Sequence, residues 1–267
     1  MELDGAVFDY IERGGGEPVV FVHGALGDCR TWIRQCEALS GRYRAVSYTQ
    51  RYFGTREWRE DWPRFGVRLH ADDLIGFIDK LGAGRVHVVA WSYGGHVALT
   101  AAAERPDLLR SVLVYEPGFP SYVTDPDDLQ AYTDDANLMF APIFAAVKAG
   151  DTVSAMRVLL DASSRRRDYF DSQPAETQRI ELDNARTLEL LVEQSAAPEL
   201  GCEELAGIDL PIGIAHGELT RPMFDIVSRA AAGCVLKGWH TTVPGVGHMW
   251  PDEEPLAFAE LVSDFLS

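Results

Sequence analysis

No stretch of this 267-residue chain approaches the ~20 consecutive apolar residues that a membrane span requires. The amino terminus, MELDGAVFDYIERGGG, carries neither a basic leader nor an apolar run long enough for export, so a cytoplasmic protein is expected. Positive charge is scarce as well: 24 Lys plus Arg stand against 41 Asp plus Glu, a formal net charge of −17. That balance repels nucleic-acid backbones and anionic membranes, and it excludes both as expected partners. The acidic residues gather at Asp125, Asp127, Asp128, Asp134 and Asp135, and again at Asp252, Glu253 and Glu254, as solvated faces and helix N-terminal charges do. Cysteines number four. Cys29 and Cys36, if on one helix, lie roughly 10 Å apart along its axis, too far for a disulfide. With the scattered Cys202 and Cys234 they are expected as buried thiols without metal-ligand spacing. No internal repeat or low-complexity linker divides the chain.

What is present is alternation. Short apolar runs rich in β-formers, Pro18 to Val22, Arg44 to Tyr48, Val86 to Trp91, Leu109 to Tyr115 and Pro211 to Ala215, are separated by helical patterns at Arg30 to Leu39, His70 to Leu81, Gly94 to Glu104 and Phe224 to Ala232. This spacing predicts a mainly parallel sheet flanked by helices. Ala6 to Arg13 alternates apolar and polar residues before three glycines, which predicts an antiparallel edge strand turning back into Pro18 to Val22. From Phe119 to Leu200 the strand signal disappears and helical stretches follow one another, at Ala136 to Ala149, Val153 to Asp161 and Thr177 to Glu193. The expected organisation is therefore an α/β core of residues 1–118 and 201–267, with a helical cap at 119–200 over the strand carboxyl ends, where open parallel sheets bind ligands. Arg165 to Arg167 is expected as a solvated turn.

Three segments carry chemistry. In VHVVAWSYGGHVALTAAA a buried strand runs straight into Ser92 and then an Ala-rich helix. A serine at so sharp a strand-to-helix turn needs small neighbours two residues either side, and Ala90 and Gly94 supply them. Upstream, VVFVHGALGD ends a second strand at His23-Gly24, where a turn can aim the N–H of Ala25 into the same crevice as the N–H of Tyr93. Two such donors form an oxyanion hole, each able to lower a barrier by about 3 kcal/mol. Downstream, VPGVGHMWPDEEP places His248 in a Gly-rich loop before the last helix, where it can take a proton from the nucleophile. Of the other histidines, only His96, one helical turn past Ser92, is placed to support this turn.

Together these segments resemble the α/β-hydrolase superfamily over nearly the whole chain outside the cap. The resemblance implies an eight-stranded, mainly parallel sheet with the cap inserted after the sixth strand, the order Ser then His, and no cofactor or metal. It also exposes a departure. Most members place the triad acid just after the seventh strand, in a segment like Gly-Glu-x-Asp, whereas this chain has HGELTRPMFD, with Thr220 in the acid's place. The sixth strand ends in LVYEPG, so Glu116 lies one strand from Ser92, about 4.8 Å across the sheet. Zearalenone lactonases are similar in using a Glu after the sixth strand. Glu116 is accordingly the expected third member, with Glu218 and Asp225 as the other candidates.

The function expected is cleavage of a carboxylic ester or lactone through an acyl-enzyme on Ser92. Trp91, Tyr93, Phe119, Met249 and Trp250 near the motifs suggest a small hydrophobic acyl or ring substrate. A carbon–carbon hydrolase of ring-cleavage diketones would use the same serine and histidine. A low-turnover ligand-sensing receptor on the same scaffold would suit a displaced acid. Haloalkane dehalogenase and epoxide hydrolase chemistry is disfavoured, because it requires a carboxylate nucleophile where this chain has Ser92.

Overall fold

The computed structural model describes residues 1–194 and 200–267. The carboxyl end of the expected 119–200 segment, at 195–199, lies outside the described residues. Two short strands come first, β1 (Glu2–Leu3) and β2 (Ala6–Val7), paired antiparallel across Asp4 and Gly5, both at positive φ. The main sheet holds β3 (Tyr10–Arg13), β4 (Glu17–Val22), β5 (Tyr43–Tyr48), β6 (Val86–Trp91), β7 (Leu109–Tyr115), β8 (Ile212–Gly217) and β9 (Gly238–Val243). Its order is β3-β5-β4-β6-β7-β8-β9, and every pairing is parallel except β3 with β5.

Among the described residues the sheet thus has seven strands, and the tight turn at Asp4-Gly5 closes the remaining strand segment into a separate ribbon. The edge strand also differs from expectation. It pairs with β5 rather than turning back onto β4, because Gly14 and Gly16 at positive φ thread the chain against the loop before β5. A side-chain carbon at Gly14 would sit 2.3 Å from the Ser40 carbonyl oxygen. β9 carries no long apolar run, only the half-exposed alternation GWHTTV, which is why it escapes a search for buried strands.

The helices are α1 (Ile33–Leu39), α2 (Val67–Leu81), α3 (Tyr93–Glu104), α4 (Pro126–Lys148), α5 (Thr152–Ser164), α6 (Tyr169–Ser172), α7 (Ala175–Asn184), α8 (Thr187–Glu193), α9 (Cys202–Ala206), α10 (Pro222–Cys234), α11 (Trp250–Glu253) and α12 (Pro255–Leu266). Side chains alternate along each buried strand and so feed two layers. Val20, Val22, Val88 and Val112 pack with Leu74 and Phe77 of α2, Val97 of α3 and Val227 of α10. Val19, Phe21, Val89 and Leu113 pack on the opposite face with Cys36 of α1 and Phe258 and Val262 of α12. Each such fully buried side chain contributes about 1.5–3 kcal/mol relative to exposure, which is what holds the strand ends rigid beneath the site.

Between β7 and β8 the described residues are helical apart from turns. α4 begins ten residues before the expected Ala136, since Asp125 accepts from the N–H groups of Asp127 and Asp128 and Pro126 fits the first turn. The expected Thr177–Glu193 helix is broken after Asn184. That side chain accepts from the Gly54 N–H at 2.5 Å and donates to Asp28 at 2.9 Å, tying the helical segment to the loops after β4 and β5.

One cysteine expectation is corrected. Cys202 and Cys234 form a disulfide, with Cα atoms 5.2 Å apart, because α9 packs against the end of α10 and brings together residues that are 32 apart in sequence. Cys29 and Cys36 are free and buried, as expected, although Cys29 lies outside α1.

Candidate active site

Two neighbouring strands end in the same unusual way. Trp91 of β6 is in register with Tyr115 of β7, and the next residues, Ser92 and Glu116, both adopt positive φ, at 55° and 50°. Such conformations cost a non-glycine residue about 1–3 kcal/mol and persist only where surrounding structure enforces them. The enforcement is visible: Ser92 N–H donates to Tyr115 O at 2.9 Å, and Glu116 N–H donates to Ala215 O at 3.0 Å. Close packing beneath the turn adds to it. A side-chain carbon at Gly94 would lie 2.5 Å from the His23 carbonyl oxygen, so only glycine lets α3 begin there.

The Glu116 carboxylate is wholly buried. Oε1 accepts from the Gly217 N–H at 2.7 Å, and Oε2 accepts from Thr220 Oγ1 at 2.7 Å and from His248 Nδ1 at 2.6 Å. Three donors converging on two oxygens suit an acceptor-only carboxylate, and this network assigns the imidazole proton to Nδ1, leaving the Nε2 lone pair open. The loop bearing His248 is anchored just before the imidazole, by the end of β7 and by the loop after β8. Tyr115 donates its hydroxyl to Gly247 O at 2.7 Å, and Leu219 N–H donates to Val246 O at 2.8 Å. The imidazole stacks on Phe224 with centroids 3.8 Å apart and planes within 7°.

Of the three candidate acids, Glu116 is the one in contact with His248. Glu218 accepts from the Gly245 N–H at 2.9 Å, and Asp225 pairs with Arg229 at 3.0 Å and His216 at 3.2 Å. Thr220, at the usual acid position, instead holds Glu116 in place. Thr220→Asp should therefore set a second carboxylate against the first, lowering kcat by about tenfold or more at pH 7 through like-charge repulsion. Steady-state kinetics check this, and a gain in rate would show position 220 to be the better site for the acid.

Ser92, His248, Ala25 and Tyr93 line one cavity of about 280 Å³. Tyr93 is the first residue of α3, so its N–H is one of the helix's leading groups without an intrahelical acceptor. The turn bearing Ala25 is braced from below by His23, whose Nδ1 donates to Gly24 O at 2.8 Å while Nε2 accepts from the Gln50 N–H at 3.1 Å. Burial depresses His23 to about 4, and it depresses His70 and His96 to about 3, so these three act as neutral hydrogen-bonding struts. The ring nitrogens of His96 bond to Tyr122 and Phe119 rather than to the serine turn. Its Nε2 accepts from the Phe119 N–H at 2.8 Å and so fixes the chain just after Glu116.

The remainder of the cavity wall is mainly apolar, with Phe140, Phe144, Leu159 and Met223 from α4, α5 and α10, and carries the polar side chains of Asn137, Ser163 and Gln194. Trp91, Tyr93, Phe119 and Met249 line it as expected, but Trp250 does not; it is buried against Tyr115 and Phe258 in the core. Sequence reasoning missed Phe224 and the Gly217 N–H, which carry no motif of their own. Among the described residues no group of three or more His, Cys, Asp or Glu is arranged to hold a metal ion.

A second cavity, of about 440 Å³, has Glu181 and Asp252 in its wall. Burial raises Glu181 to about 8, and desolvation followed by the Glu253 charge raises Asp252 to about 7. Each holds its proton in the folded protein where the unfolded chain has released it. The resulting stabilisation is complete below about pH 4 and is lost as pH rises through 7 and 8. Unfolding stability should therefore fall by about 2 kcal/mol between pH 7 and 9, most of it from Glu181. Thermal melts of wild type beside Glu181→Gln check this; a melting temperature that falls equally in both would contradict it. The three buried histidines act in the opposite sense, but only below their unfolded value of about 6.5.

The chain belongs to the alpha/beta hydrolase family, whose model matches residues 19–261. It is 31% identical over 138 residues to the 2-(acetamidomethylene)succinate hydrolase of Mesorhizobium japonicum, an alignment covering 50% of this chain and 48% of that protein. The chain spans about half or less of the length of the curated relatives it matches first. Among solved structures, the enol-lactonase from Burkholderia xenovorans LB400 superposes with a TM-score of 0.77 at 19% identity, covering 97% of this chain and 96% of that one. Est816, described as an N-acyl homoserine lactone degrading enzyme, gives 0.73 at 21% identity, covering 99% and 98%. At these identities the likeness to solved structures is one of fold. Among the described residues no helix is long and apolar enough to cross a membrane.

Proposed function

We propose that this hydrolase cleaves carboxylic esters or lactones through an acyl-enzyme on Ser92, with His248 as general base and Glu116 as the acid that orients it. The observation that carries the reading is the 2.6 Å contact between Glu116 Oε2 and His248 Nδ1 beside a cavity that Ser92 also lines. Ser92 Oγ attacks the carbonyl carbon as its proton passes to His248 Nε2. The N–H groups of Ala25 and Tyr93 hold the oxyanion. His248 then returns the proton to the departing alkoxide. A water molecule, deprotonated by the same nitrogen, attacks the acyl ester and releases the carboxylic acid and Ser92.

The helical segment 119–200 serves in this proposal as a cap whose apolar side chains receive the acyl or ring portion. The 2-(acetamidomethylene)succinate hydrolase relative, named for a small-molecule substrate, supports a small molecule as the substrate here. A ligand-sensing role loses its motive once an acid contacts His248 despite Thr220. The test is a panel of short-chain esters, lactones and a ring-cleavage dienone run on wild type and Ser92→Ala. Repeated turnover of an ester or lactone, abolished in the variant, is expected. Turnover of the dienone alone would transfer the site to carbon–carbon hydrolysis, and activity retained by Ser92→Ala would overturn the mechanism.

A further inference from the structure

The wall of the cavity that Ser92 lines includes no Asp, Glu, Lys or Arg. Of its polar side chains outside the proposed catalytic groups, Ser163 is the deeply buried one, only 6% exposed, whereas Gln194 is half-buried and Asn137 exposed. Ser163 follows Leu159 and Leu160 by one turn of α5 and so shares their cavity-lining side of the helix.

A serine inside a helix commonly satisfies its hydroxyl by donating back to a carbonyl of the preceding turn. The next residue does so, with Ser164 Oγ donating to Asp161 O at 3.3 Å. Ser163 Oγ hydrogen-bonds to none of the described residues, and it is not sealed in the packed interior as the unpartnered hydroxyls of Ser47 and Ser228 are. The opening left to it is the cavity whose wall it forms.

Its position is fixed from both sides. Ala162 O accepts from Arg221 Nη1 at 3.2 Å, and Arg165 Nη1 donates to Thr220 O at 3.2 Å, which ties this end of α5 to the loop whose Thr220 holds Glu116. Arg221 also pairs with Asp135 of α4 at 2.7 Å, so one guanidinium clamps both helices to that loop. A rigid hydroxyl at a set place in an apolar pocket is the kind of group that orients a ligand.

Chemistry narrows what it would take. A hydrocarbon leaves the hydroxyl unpaired, and a charged group finds no Asp, Glu, Lys or Arg in the wall to pair with. A ketone, hydroxyl or amide oxygen accepts from Ser163 Oγ without bringing charge.

We propose that Ser163 is a specificity residue that donates to a neutral oxygen on the acyl or ring portion of the substrate, away from the scissile carbonyl. The substrate is then an oxo-, hydroxy- or amide-bearing ester or lactone rather than a plain hydrocarbon one. That class rests on the acyl-transfer reading above; the binding site does not.

The test compares p-nitrophenyl 4-oxopentanoate, 5-oxohexanoate and 6-oxoheptanoate with the pentanoate, hexanoate and heptanoate, on wild type and Ser163→Ala. Alanine is the better helix former, so the variant is expected to fold. For at least one chain length the ratio of kcat/KM, oxo ester over unsubstituted ester, should fall by about fivefold or more in the variant, the effect of losing one hydrogen bond to a neutral group. Differences in intrinsic ester reactivity cancel in this cycle. A purely structural role would slow both esters alike and leave the ratio unmoved. Binding is read separately, by calorimetric titration with the N-butyl amides of the same acids, and the ratio of Kd values should shift in the same sense. Ratios that Ser163→Ala leaves unchanged at every chain length, in turnover and in binding, would overturn the subsite while leaving ester hydrolysis in place. A preference in binding that depends on Ser163, with no turnover of any ester, would refute the acyl-transfer reading alone.

Discussion

Glu116→Gln should leave a folded protein whose kcat is lower by about 10³–10⁴-fold. The change keeps the side chain's shape but puts an NH₂ where Oε1 or Oε2 now accepts. Gln keeps a single acceptor oxygen, which cannot accept from Gly217 N–H, Thr220 Oγ1 and His248 Nδ1 together, so one of the three contacts becomes donor against donor. If His248 yields, its ring adopts the other tautomer or turns, and Nε2 loses the lone pair that the proposed mechanism uses as its base. The charge that would stabilise the imidazolium is also gone. Steady-state kinetics with a melt on the same sample decide the matter. Near-normal kcat in a stable variant would remove Glu116 from the mechanism and leave a two-residue site.

Ser92→Ala should have the largest effect of any single substitution, a loss on the order of 10⁶ in kcat. The remaining rate over water comes from whatever the two N–H donors and the cavity still contribute, since both survive the change. Stability should not fall with activity. Ser92 sits at φ 55°, and alanine is no more strained there than serine. Comparing mass spectra of wild type and variant after treatment with an organophosphate provides a second reading. Labelling is expected at Ser92 in wild type and nowhere in the variant. A labelled variant would place the nucleophile elsewhere.

The serine turn was legible because three independent local demands coincide in a few residues: an all-buried strand, a small residue either side, and a helix whose start tolerates no side chain at Gly94. His248 was legible from position alone. Glu116 needed the resemblance, because nothing local distinguishes an acid after a strand from any other Glu-Pro. Its evidence lies 101 to 132 residues away, in Gly217, Thr220 and His248, and such long-range contacts leave no periodic trace. The same holds for Cys202–Cys234, which only the packing of α9 on α10 brings together. α4 was missed over its first ten residues for another reason. They are held by an Asp125 cap and solvent-facing acids, so apolar periodicity starts only where the helix meets its neighbours.

On the proposed mechanism, the matched positions of Ser92 and Glu116 at the ends of β6 and β7 make hydrolysis a gauge of strand registry. Sliding β7 by one residue against β6 would preserve a hydrogen-bonded parallel pair but turn every β7 side chain to the opposite face, carrying the carboxylate away from His248. A misregistered sheet could look folded by its secondary structure and still be silent toward substrate. Recovery of activity after denaturation therefore reports a single discrete alignment of two central strands, which bulk spectroscopic signals of refolding do not resolve.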